Sequence, residues 1–478
     1  MAPLQQIPMS TAVLKGAILS MAEPPQIVSD PGVNGILGEV ETVGVQPVPD
    51  AQRTMSPGKM TIVWLMASAS ATTPLIGALL FHYGVIDMML AIVLSWLIGL
   101  VPSGLFSEMG REVPLTGLIV ARKSYGTAGA FLFSVLFTFV NMGWFGLNTA
   151  VAGVTLSAIT HVGGSLWFWV IGVLQVFLVL FGMKWLEYFY RYTSVILLVC
   201  YGMLAYLLFS RYHVQMPGPT MPMQWGTAIS IIVTFSILAW TYKVSTVSRF
   251  ARPASDPRGK NAFFFAPSVG IMVSVFVMGL MGMYSQQATG NWNLALLGAH
   301  APLWGVIAAI GVALAIIHTN AMNLYPSTVD LLVALNTFRR PSKWEQPIAT
   351  IAMGVLGTIL AILGILNHVA GFLDVIGDVI IPFTFIMLVD WIWIQRRQTP
   401  AAAFFARPNT MRDWWSWPAV VAFAIGLFIS IWGGGWLPVL FTTVLPLPVV
   451  GGLVSALIYA LWVIPATAAK NMAPQPKA

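Results

Sequence analysis

Residues 60–82 read MTIVWLMASASATTPLIGALLFH, an apolar stretch that contains no Asp, Glu, Lys or Arg and is interrupted at its centre by ASASATTP (67–74). A membrane-spanning helix needs roughly 20 mostly apolar residues, so the stretch is long enough to cross a bilayer. Inside hydrocarbon every backbone polar group needs a partner, and helices therefore break only where the break lines a cavity. The central run of small and polar residues, which ends in a proline, predicts such a break.

The composition of the whole chain agrees with a membrane protein. Hydrophobic residues make up 58% of the 478 residues and charged residues only 8%, whereas a typical soluble domain carries roughly 25% charged residues. This shortage of charge excludes a soluble enzyme, a disordered chain and a nucleic-acid binder, so the expected partner is the lipid bilayer. The single cysteine, Cys200, excludes a disulfide framework and a cysteine-based metal site.

Twelve stretches of the chain are long and apolar enough to span a membrane. They lie near 60–82, 86–106, 128–158, 165–183, 192–210, 226–248, 262–284, 302–335, 347–366, 371–394, 415–434 and 440–465. The third and eighth stretches are long enough to be tilted or to extend into water at one end.

The cationic residues predict the orientation of these spans. If the N-terminus is cytoplasmic, then of the 23 Lys and Arg residues only Arg211 falls in an external loop and only Lys243 falls inside a span. All the others fall on the cytoplasmic side, which is the bias that the positive-inside rule describes. We therefore expect a multi-pass protein of the cell (plasma) membrane with both termini cytoplasmic.

The chain outside the spans offers little room for another activity. Residues 1–58 are rich in Pro, Gly and Val and contain no spanning segment, which predicts a mobile cytoplasmic tail. Residues 59–466 form the twelve-helix membrane domain, and residues 467–478 form a second cytoplasmic tail. We find no Walker motif, no His/Cys metal spacing and no nucleophile elbow, so we expect no catalytic residues and no enzyme activity.

Three more spans carry runs of small and polar residues near their centres, at 141–146, 236–243 and 318–327. These runs are further candidates for helix breaks. The first and sixth spans open two successive groups of five helices, which have opposite orientations because five is odd. Interrupted helices at matching places in two halves indicate the midplane site of a secondary transporter. The alternative is that the small residues only allow helices to pack closely.

The ordered set of motifs resembles the bacterial cytosine permeases and, through them, the nucleobase:cation symporter-1 family. The resemblance spans roughly 58–465 and rests on Ala67-Ser68-Ala69-Ser70, on Asn141 followed by Trp144-Phe145-Gly146, on Ser248-Arg249-Phe250, on Thr319-Asn320 with Leu324-Tyr325, and on Asp390-Trp391 ahead of Arg396-Arg397. It implies an all-α fold of two inverted five-helix repeats, about 59–210 and 226–395, followed by two extra helices at about 415–465. It also implies secondary active transport by alternating access.

The substrates of that family are cytosine, purines, uracil, allantoin, hydantoins and vitamin precursors. A site for such a flat ring needs an aromatic face for stacking and side-chain amides at the ring edge. The residues that the resemblance and the broken helices nominate for substrate binding are Asn141, Trp144, Phe145, Ser236, Trp240, Asn320 and Asn323. Alternatively, Trp144 is a packing residue, and Asn320 and Asn323 cap a broken backbone.

The sixth-helix run departs from the cytosine permeases, which resemble one another in carrying serines and a phenylalanine at the break. This chain has Ser236, Ile237, Leu238 and Ala239 there. One polar contact is lost and the pocket changes shape, so a heterocycle other than cytosine is expected.

Na⁺ and H⁺ are both candidates for the ion that couples to transport. The resemblance implies a sodium site built from the carbonyls of Ala67 and Ser70 and from two adjacent hydroxyls on the eighth helix. Those hydroxyl positions are occupied by His318 and Thr319, and imidazole is a poor ligand for sodium but titrates near physiological pH. The alternative for His318 is a hydrogen-bonded packing histidine.

Lys243 is costly inside hydrocarbon and should pair, snorkel or be neutral. Lys243 lies six residues before Arg249, and Asp390 lies six residues before Arg396. Both therefore sit roughly 9 Å inside the cytoplasmic boundary. This equal depth predicts that Lys243 pairs with Asp390, or less favourably with Asp330, and that protonation at Lys243 or His318 couples transport to a proton gradient.

Other classes of protein remain open at this point. An amino-acid or amine carrier with the same inverted-repeat fold is the nearest alternative. An ion channel would need a ring-forming filter loop, which is not visible. A membrane-embedded enzyme would need clustered histidines or paired acids at active-site spacing.

Overall fold

The computed structural model describes residues 40–300, 302–395, 400–436 and 443–472. Among these residues the regular structure is helical, apart from one isolated β-bridge between Met55 and Ala251. The α-helices are α1 (Pro57–Ser68), α2 (Leu75–Leu79), α3 (Gly84–Glu112), α4 (Gly117–Thr160), α5 (Gly164–Leu180), α6 (Gly182–Tyr212), α7 (Trp225–Phe235), α8 (Ile237–Ser248), α9 (Lys260–Thr289), α10 (Pro302–Asn336), α11 (Glu345–Ile362), α12 (Val369–Asp390), α13 (Met411–Trp414), α14 (Trp417–Trp436) and α15 (Leu447–Met472). Short 3₁₀ segments lie at Asp50–Gln52, Phe81–Tyr83, Leu294–His300, Ile365–His368 and Ala401–Phe405, and a π-helical turn at Trp391–Gln395 follows α12.

Many of these helices are suited to a bilayer. Among the described residues, nine helices are long and apolar enough to cross a membrane, and two shorter apolar helices lie at Gly164–Leu180 and Trp417–Gly433. The prediction of an all-helical, multi-pass membrane protein is therefore confirmed. The number of twelve crossings and the inverted-repeat arrangement stay predictions. α15 continues to Met472, into the predicted C-terminal tail.

The first and sixth spans are broken, as predicted. α1 ends at Ser68 and the chain resumes helical structure at Leu75. α7 and α8 are separated by Ser236, whose φ of −128° and ψ of −102° are not helical. Carbonyls freed at the first break accept hydrogen bonds from side chains, since Thr73 Oγ1 donates to Ser68 O at 2.7 Å. The break thus satisfies its own backbone within the protein, as a membrane interior requires.

The third and eighth spans do not break at their small and polar runs. α4 is helical through 141–146 and α10 is helical through 318–327, so the predictions of a break there are wrong. Their polar side chains bond to neighbouring helices, and no backbone group has to be released for this. α4 does bend elsewhere, at Gly126, whose φ of 77° is left-handed and where a Cβ atom would lie 2.4 Å from Trp414 O.

Several loops that the positive-inside rule places together meet at one end of the bundle, which we call the arginine-rich end. Arg53 Nη2 donates to Arg111 O, and Arg111 Nε donates to Arg252 O at 3.0 Å. Charges from the N-terminal segment, the end of α3 and the loop after α8 therefore share one side. Which side of the membrane this is stays a prediction.

Residues 41–56 pack onto this same end, which corrects the prediction of a mobile tail as far as residue 58. Val45 and Val48 are each only 2% exposed. Glu41 Oε1 accepts hydrogen bonds from Tyr325 OH at 2.6 Å and from Gln346 Nε2 at 3.1 Å. The tail prediction for residues 1–39 lies outside the described residues.

The predicted orientation can be tested with single cysteines. Cys200 is the chain's one native cysteine, so one substitution gives a cysteine-free background. An Arg258→Cys variant should react with an impermeant thiol reagent only after the membrane is opened, because the loop after α8 is predicted to be cytoplasmic. An Asn291→Cys variant, in the loop predicted to be external, should react in intact cells. Reaction of position 258 in intact cells would contradict the topology.

Candidate functional site

A buried cavity lies between the two broken helices and the continuous helices α4 and α10. It holds about 30 Å³ of free space, which is room for about two water molecules. Its walls are formed by Ala67, Ser68, Ser70, Thr72, Thr73, Trp144, Asn148, Phe235, Ser236, Ala239, Trp240, Lys243, Val275, Thr319 and Asn323. A bound ring would therefore require side chains in the walls to move.

Three aromatic side chains contribute to the cavity walls. Trp144 and Trp240, both predicted as stacking residues, lie at the cavity and are 7% and 8% exposed. The ring centroids of Trp144 and Phe235 are 5.5 Å apart at an angle of 80°. Phe372 of α12 meets Trp144 at the same centroid distance of 5.5 Å. The three wall rings, Trp144, Phe235 and Trp240, offer apolar faces to a flat ligand, and Phe372 packs against Trp144 from outside the wall.

Two side-chain amides also reach the cavity, Asn148 of α4 and Asn323 of α10. Asn148 Nδ2 donates to Asn320 Oδ1 at 3.1 Å, and Asn323 Nδ2 donates to the same oxygen at 3.3 Å. Each amide has a second N–H that is available to a ligand. Asn323 was predicted, whereas Asn148 was missed, although it lies one helical turn after Trp144 and so shares its face.

Asn320 does not line the cavity, and its role as a substrate contact stays a prediction. Its side chain is fully buried, and its Nδ2 atom lies within hydrogen-bond distance of Phe145 O, Thr149 Oγ1 and Gln175 Oε1 at 2.9, 3.1 and 3.0 Å. Asn320 Oδ1 accepts hydrogen bonds from both cavity amides, Asn148 and Asn323. Asn320 therefore orients these two side chains from outside the cavity wall.

Asn141 and Phe145, which are also predicted substrate contacts, do not line the cavity. Asn141 Nδ2 donates to Asp330 Oδ2 at 3.0 Å, and its Oδ1 accepts from Tyr242 OH at 3.1 Å. Both ends of this amide are thus occupied within the protein. Phe145 follows Trp144 on the helix, so its side chain points to another face, and it is fully buried.

Several hydroxyl groups line the cavity as well. Ser236, predicted at the sixth-helix break, donates its Oγ hydrogen to Ile232 O. Ser68 is 4% exposed, and within the described part of the chain its Oγ atom has no hydrogen-bond partner. A buried polar atom without a partner is costly, so Ser68 is available to a ligand or to water.

The residues predicted to bind the coupling cation are only partly brought together. Thr319 Oγ1 lies 2.7 Å from Ala67 O and 3.1 Å from Ala315 O, so three oxygen atoms meet beside the first-helix break. Ser70 O accepts from Thr73 N at 3.1 Å, within the turn of that break.

His318 points away from this group of oxygens. Its Nε2 atom lies 2.6 Å from Thr193 Oγ1, and its ring packs near Phe189 and Tyr190 of α6. His318 is fully buried and does not line the cavity. This geometry favours the interpretation of His318 as a hydrogen-bonded packing residue over its interpretation as a residue that contacts a ligand in the cavity.

Lys243 does not pair with Asp390, which corrects that prediction. Lys243 Nζ donates to Asn323 Oδ1 at 2.9 Å, whereas Asp390 accepts from Ser124 Oγ at 3.0 Å and Tyr459 OH at 2.8 Å. The two side chains therefore have different partners, on α10 for Lys243 and on α4 and α15 for Asp390. Asp330 interacts electrostatically with Lys243, and across the described residues no carboxylate lies within ion-pair distance of Lys243 Nζ.

Two helices that break opposite each other around a buried polar cavity are the architecture of secondary transporters. The sequence model of the permeases for cytosine/purines, uracil, thiamine and allantoin matches residues 47–454. The chain therefore belongs to this permease family.

Individual relatives agree with this assignment. The cytosine permease of Escherichia coli K12 is 25% identical over 361 residues, which are 74% of this chain and 80% of that protein. The hydantoin permease of Microbacterium maritypicum is 23% identical over 416 residues, covering 80% and 83% of the two chains. The solved structure of Mhp1, a nucleobase-cation-symport-1 family transporter in a closed conformation with bromovinylhydantoin bound, has the same fold with a TM-score of 0.74 at 18% identity, covering 92% of this chain and 98% of that one.

Proposed function

We propose that this protein imports a nucleobase-like heterocycle, of the cytosine, purine, allantoin/hydantoin or vitamin-precursor class, by cation-coupled alternating access. The observation that carries the proposal is the convergence of two tryptophans, Trp144 and Trp240, and two amides, Asn148 and Asn323, on one buried cavity. Aromatic faces and amide edges together match a flat ring with polar edges. The names of the relatives, which include a cytosine permease and a hydantoin permease, support the same class.

On this proposal, different side chains bind the face and the edge of the ring. The ring stacks on Trp144 or Trp240, while the free N–H groups of Asn148 and Asn323 donate to ring carbonyls or nitrogens. Ser68 Oγ, which has no partner among the described residues, adds a donor and acceptor. Because the cavity holds so little free space, the helices around it have to separate on one side at a time to admit and release the ring.

A panel of labelled compounds in proteoliposomes tests the proposal. Uptake of bases, ureides and vitamin precursors should be measured together with competition by unlabelled heterocycles, amino acids and amines. Competition by one group of heterocycles, with none by amino acids or amines, is the expected result. Uptake of an amino acid or amine that no heterocycle inhibits would instead identify a carrier of the alternative class.

We further propose that the coupling cation is H⁺. His318 supplies no oxygen to the group formed by Ala67, Ala315 and Thr319, and imidazole is a poor replacement. Lys243 lines the same cavity as Ala67 and Thr319, so its ammonium would repel a sodium ion bound there. Of the titratable groups that the structure describes, Lys243 lines the cavity, and Asp330 and His318 lie beyond its walls.

Uptake should therefore persist when sodium is replaced by choline and should fall when a protonophore collapses the proton gradient. The measurement is initial uptake by proteoliposomes with each gradient imposed separately. A Thr319→Ala variant serves as the control, because it removes the one side-chain oxygen of a sodium site without changing Lys243. A strict sodium requirement that this variant abolishes would show that the oxygen group binds sodium.

A further inference from the structure

Lys243 is a charged side chain that the cavity places next to the expected substrate. It is 3% exposed, lies on α8 within a membrane span, and lines the cavity together with Trp144 and Asn323. A lysine in this position changes what kind of molecule the cavity can bind, because a buried ammonium strongly prefers a partner of opposite charge.

The protein itself satisfies this ammonium only in part. Lys243 Nζ donates one hydrogen bond, to Asn323 Oδ1 at 2.9 Å. It also lies 4.3 Å from the centroid of the Trp240 ring, a distance at which the ring attracts a cation. An ammonium has three N–H donors, so donor capacity remains on the side of the cavity.

The nearby acids are engaged elsewhere. Asp330 acts on Lys243 only at a distance beyond an ion pair and accepts from Asn141 Nδ2 at 3.0 Å. Asp390 accepts from Ser124 and Tyr459. Glu41 and Glu108 are bonded at the arginine-rich end, to Tyr325 and to Arg111. In the described part of the chain, therefore, no carboxylate is in direct contact with Lys243.

Other polar groups of the cavity wall are neutral. Asn148, Asn323 and the hydroxyls of Ser68, Ser70 and Thr72 carry no charge, and among the side chains that the structure describes no acid lines the cavity. The net charge of these described wall residues is thus that of Lys243. A cationic amine would be repelled, whereas an anion would supply the missing direct partner.

We propose that the substrate is a heterocycle that carries a negative charge at neutral pH, such as a carboxylated pyrimidine or an acidic oxo-purine, and that Lys243 binds its anionic oxygen. This inference rests on the proposed function and names the substrate class within it. Trp144 and Trp240 then hold the ring faces, Asn148 and Asn323 hold neutral edge groups, and Lys243 selects the charged ring over its neutral parent. Hydrogen bonds between an ammonium and an anionic oxygen are stronger than those between neutral groups.

Equilibrium binding to the purified protein tests this inference with matched ligands. The pairs are uracil-6-carboxylate against uracil and urate against hypoxanthine, each with a radiolabelled probe. The wild type should bind at least one anion more tightly than its neutral partner by roughly tenfold, the effect expected of one charge-assisted hydrogen bond. Lys243→Met should abolish that preference, so that the anion binds no more tightly than its neutral partner, and Lys243→Arg should retain the preference.

A Lys260→Met variant is the matched control, because Lys260 is exposed at the start of α9 and should not alter any affinity. Failure of the inference and failure of the proposed function give different results. Equal or weaker binding of both anions, or a preference that survives in Lys243→Met, would overturn the role of Lys243 although rings still bind. Absence of binding by all four rings, with binding of an amino acid, would overturn the proposed function itself.

Discussion

Replacing Trp144 with alanine is expected to lower uptake strongly at low substrate concentration while leaving the protein in the membrane. Trp144 lies in the cavity wall between Phe235 and Phe372, and its loss removes the largest aromatic face that α4 offers to a ligand. Stacking of a base on an aromatic side chain contributes about 1–3 kcal/mol in nucleic-acid sites. The apparent affinity should therefore fall by roughly tenfold or more, as measured by uptake at increasing substrate concentration.

Two further variants separate recognition from folding. Trp144→Phe keeps an aromatic face and should recover part of the affinity. Trp462→Ala removes a tryptophan that is 49% exposed on α15, away from the cavity, and should transport normally. Unchanged affinity in Trp144→Ala would mean that this side chain only packs.

Replacing Gly282 with valine is expected to remove both the folded protein and its transport. Gly282 of α9 faces the first-helix break, where a Cβ atom would lie 1.9 Å from Pro74 O. The obstacle is a backbone carbonyl, which cannot turn aside as a side chain can. Overpacking a tight contact costs about 1–3 kcal/mol and sometimes more. Relief of the clash would displace residues 69–74, of which Ser70, Thr72 and Thr73 line the cavity.

The measurement is the amount of monodisperse protein and its melting temperature in detergent, followed by uptake. Gly202→Val is the matched control, since a Cβ atom at this position of α6 meets nothing within 4 Å. Normal melting and uptake by the Gly282→Val protein would show that α9 does not support the break.

The fold could be read from the sequence wherever hydrophobicity alone decides the outcome. Apolar length predicted the helices, and the run of small residues ending in Pro74 predicted the first break. Similar runs on α4 and α10 led to wrong predictions of a break. Their asparagine and threonine side chains can form hydrogen bonds to neighbouring helices without breaking the backbone hydrogen bonds of their own helix. The composition of a polar run does not show whether the run breaks its own helix or lies in an unbroken helix that faces a break in a neighbouring helix.

The site was harder to predict because it depends on direction as well as position. Asn141 and Asn148 both share a face of α4 with Trp144, and the sequence does not say whether the cavity lies above or below that tryptophan. Lys243 was predicted to pair with Asp390 from their expected depth in the membrane alone. Depth does not say which neighbouring helix a side chain faces, and in the structure the Lys243 ammonium faces Asn323 rather than Asp390.

The N-terminal segment has a consequence for the speed of the proposed cycle. Glu41 and Gly44 connect to Tyr325, Gln346 and Arg249, which belong to α10, to α11 and to the end of α8, and both residues precede the part of the chain that matches the permease family. On the proposed cycle, an opening at the arginine-rich end that separates α10 or α11 from residues 41–44 would break these bonds. Their strength therefore biases the equilibrium between inward-facing and outward-facing conformations, so changes at residues 41–44 would alter turnover number while the affinity of the occluded cavity stays the same.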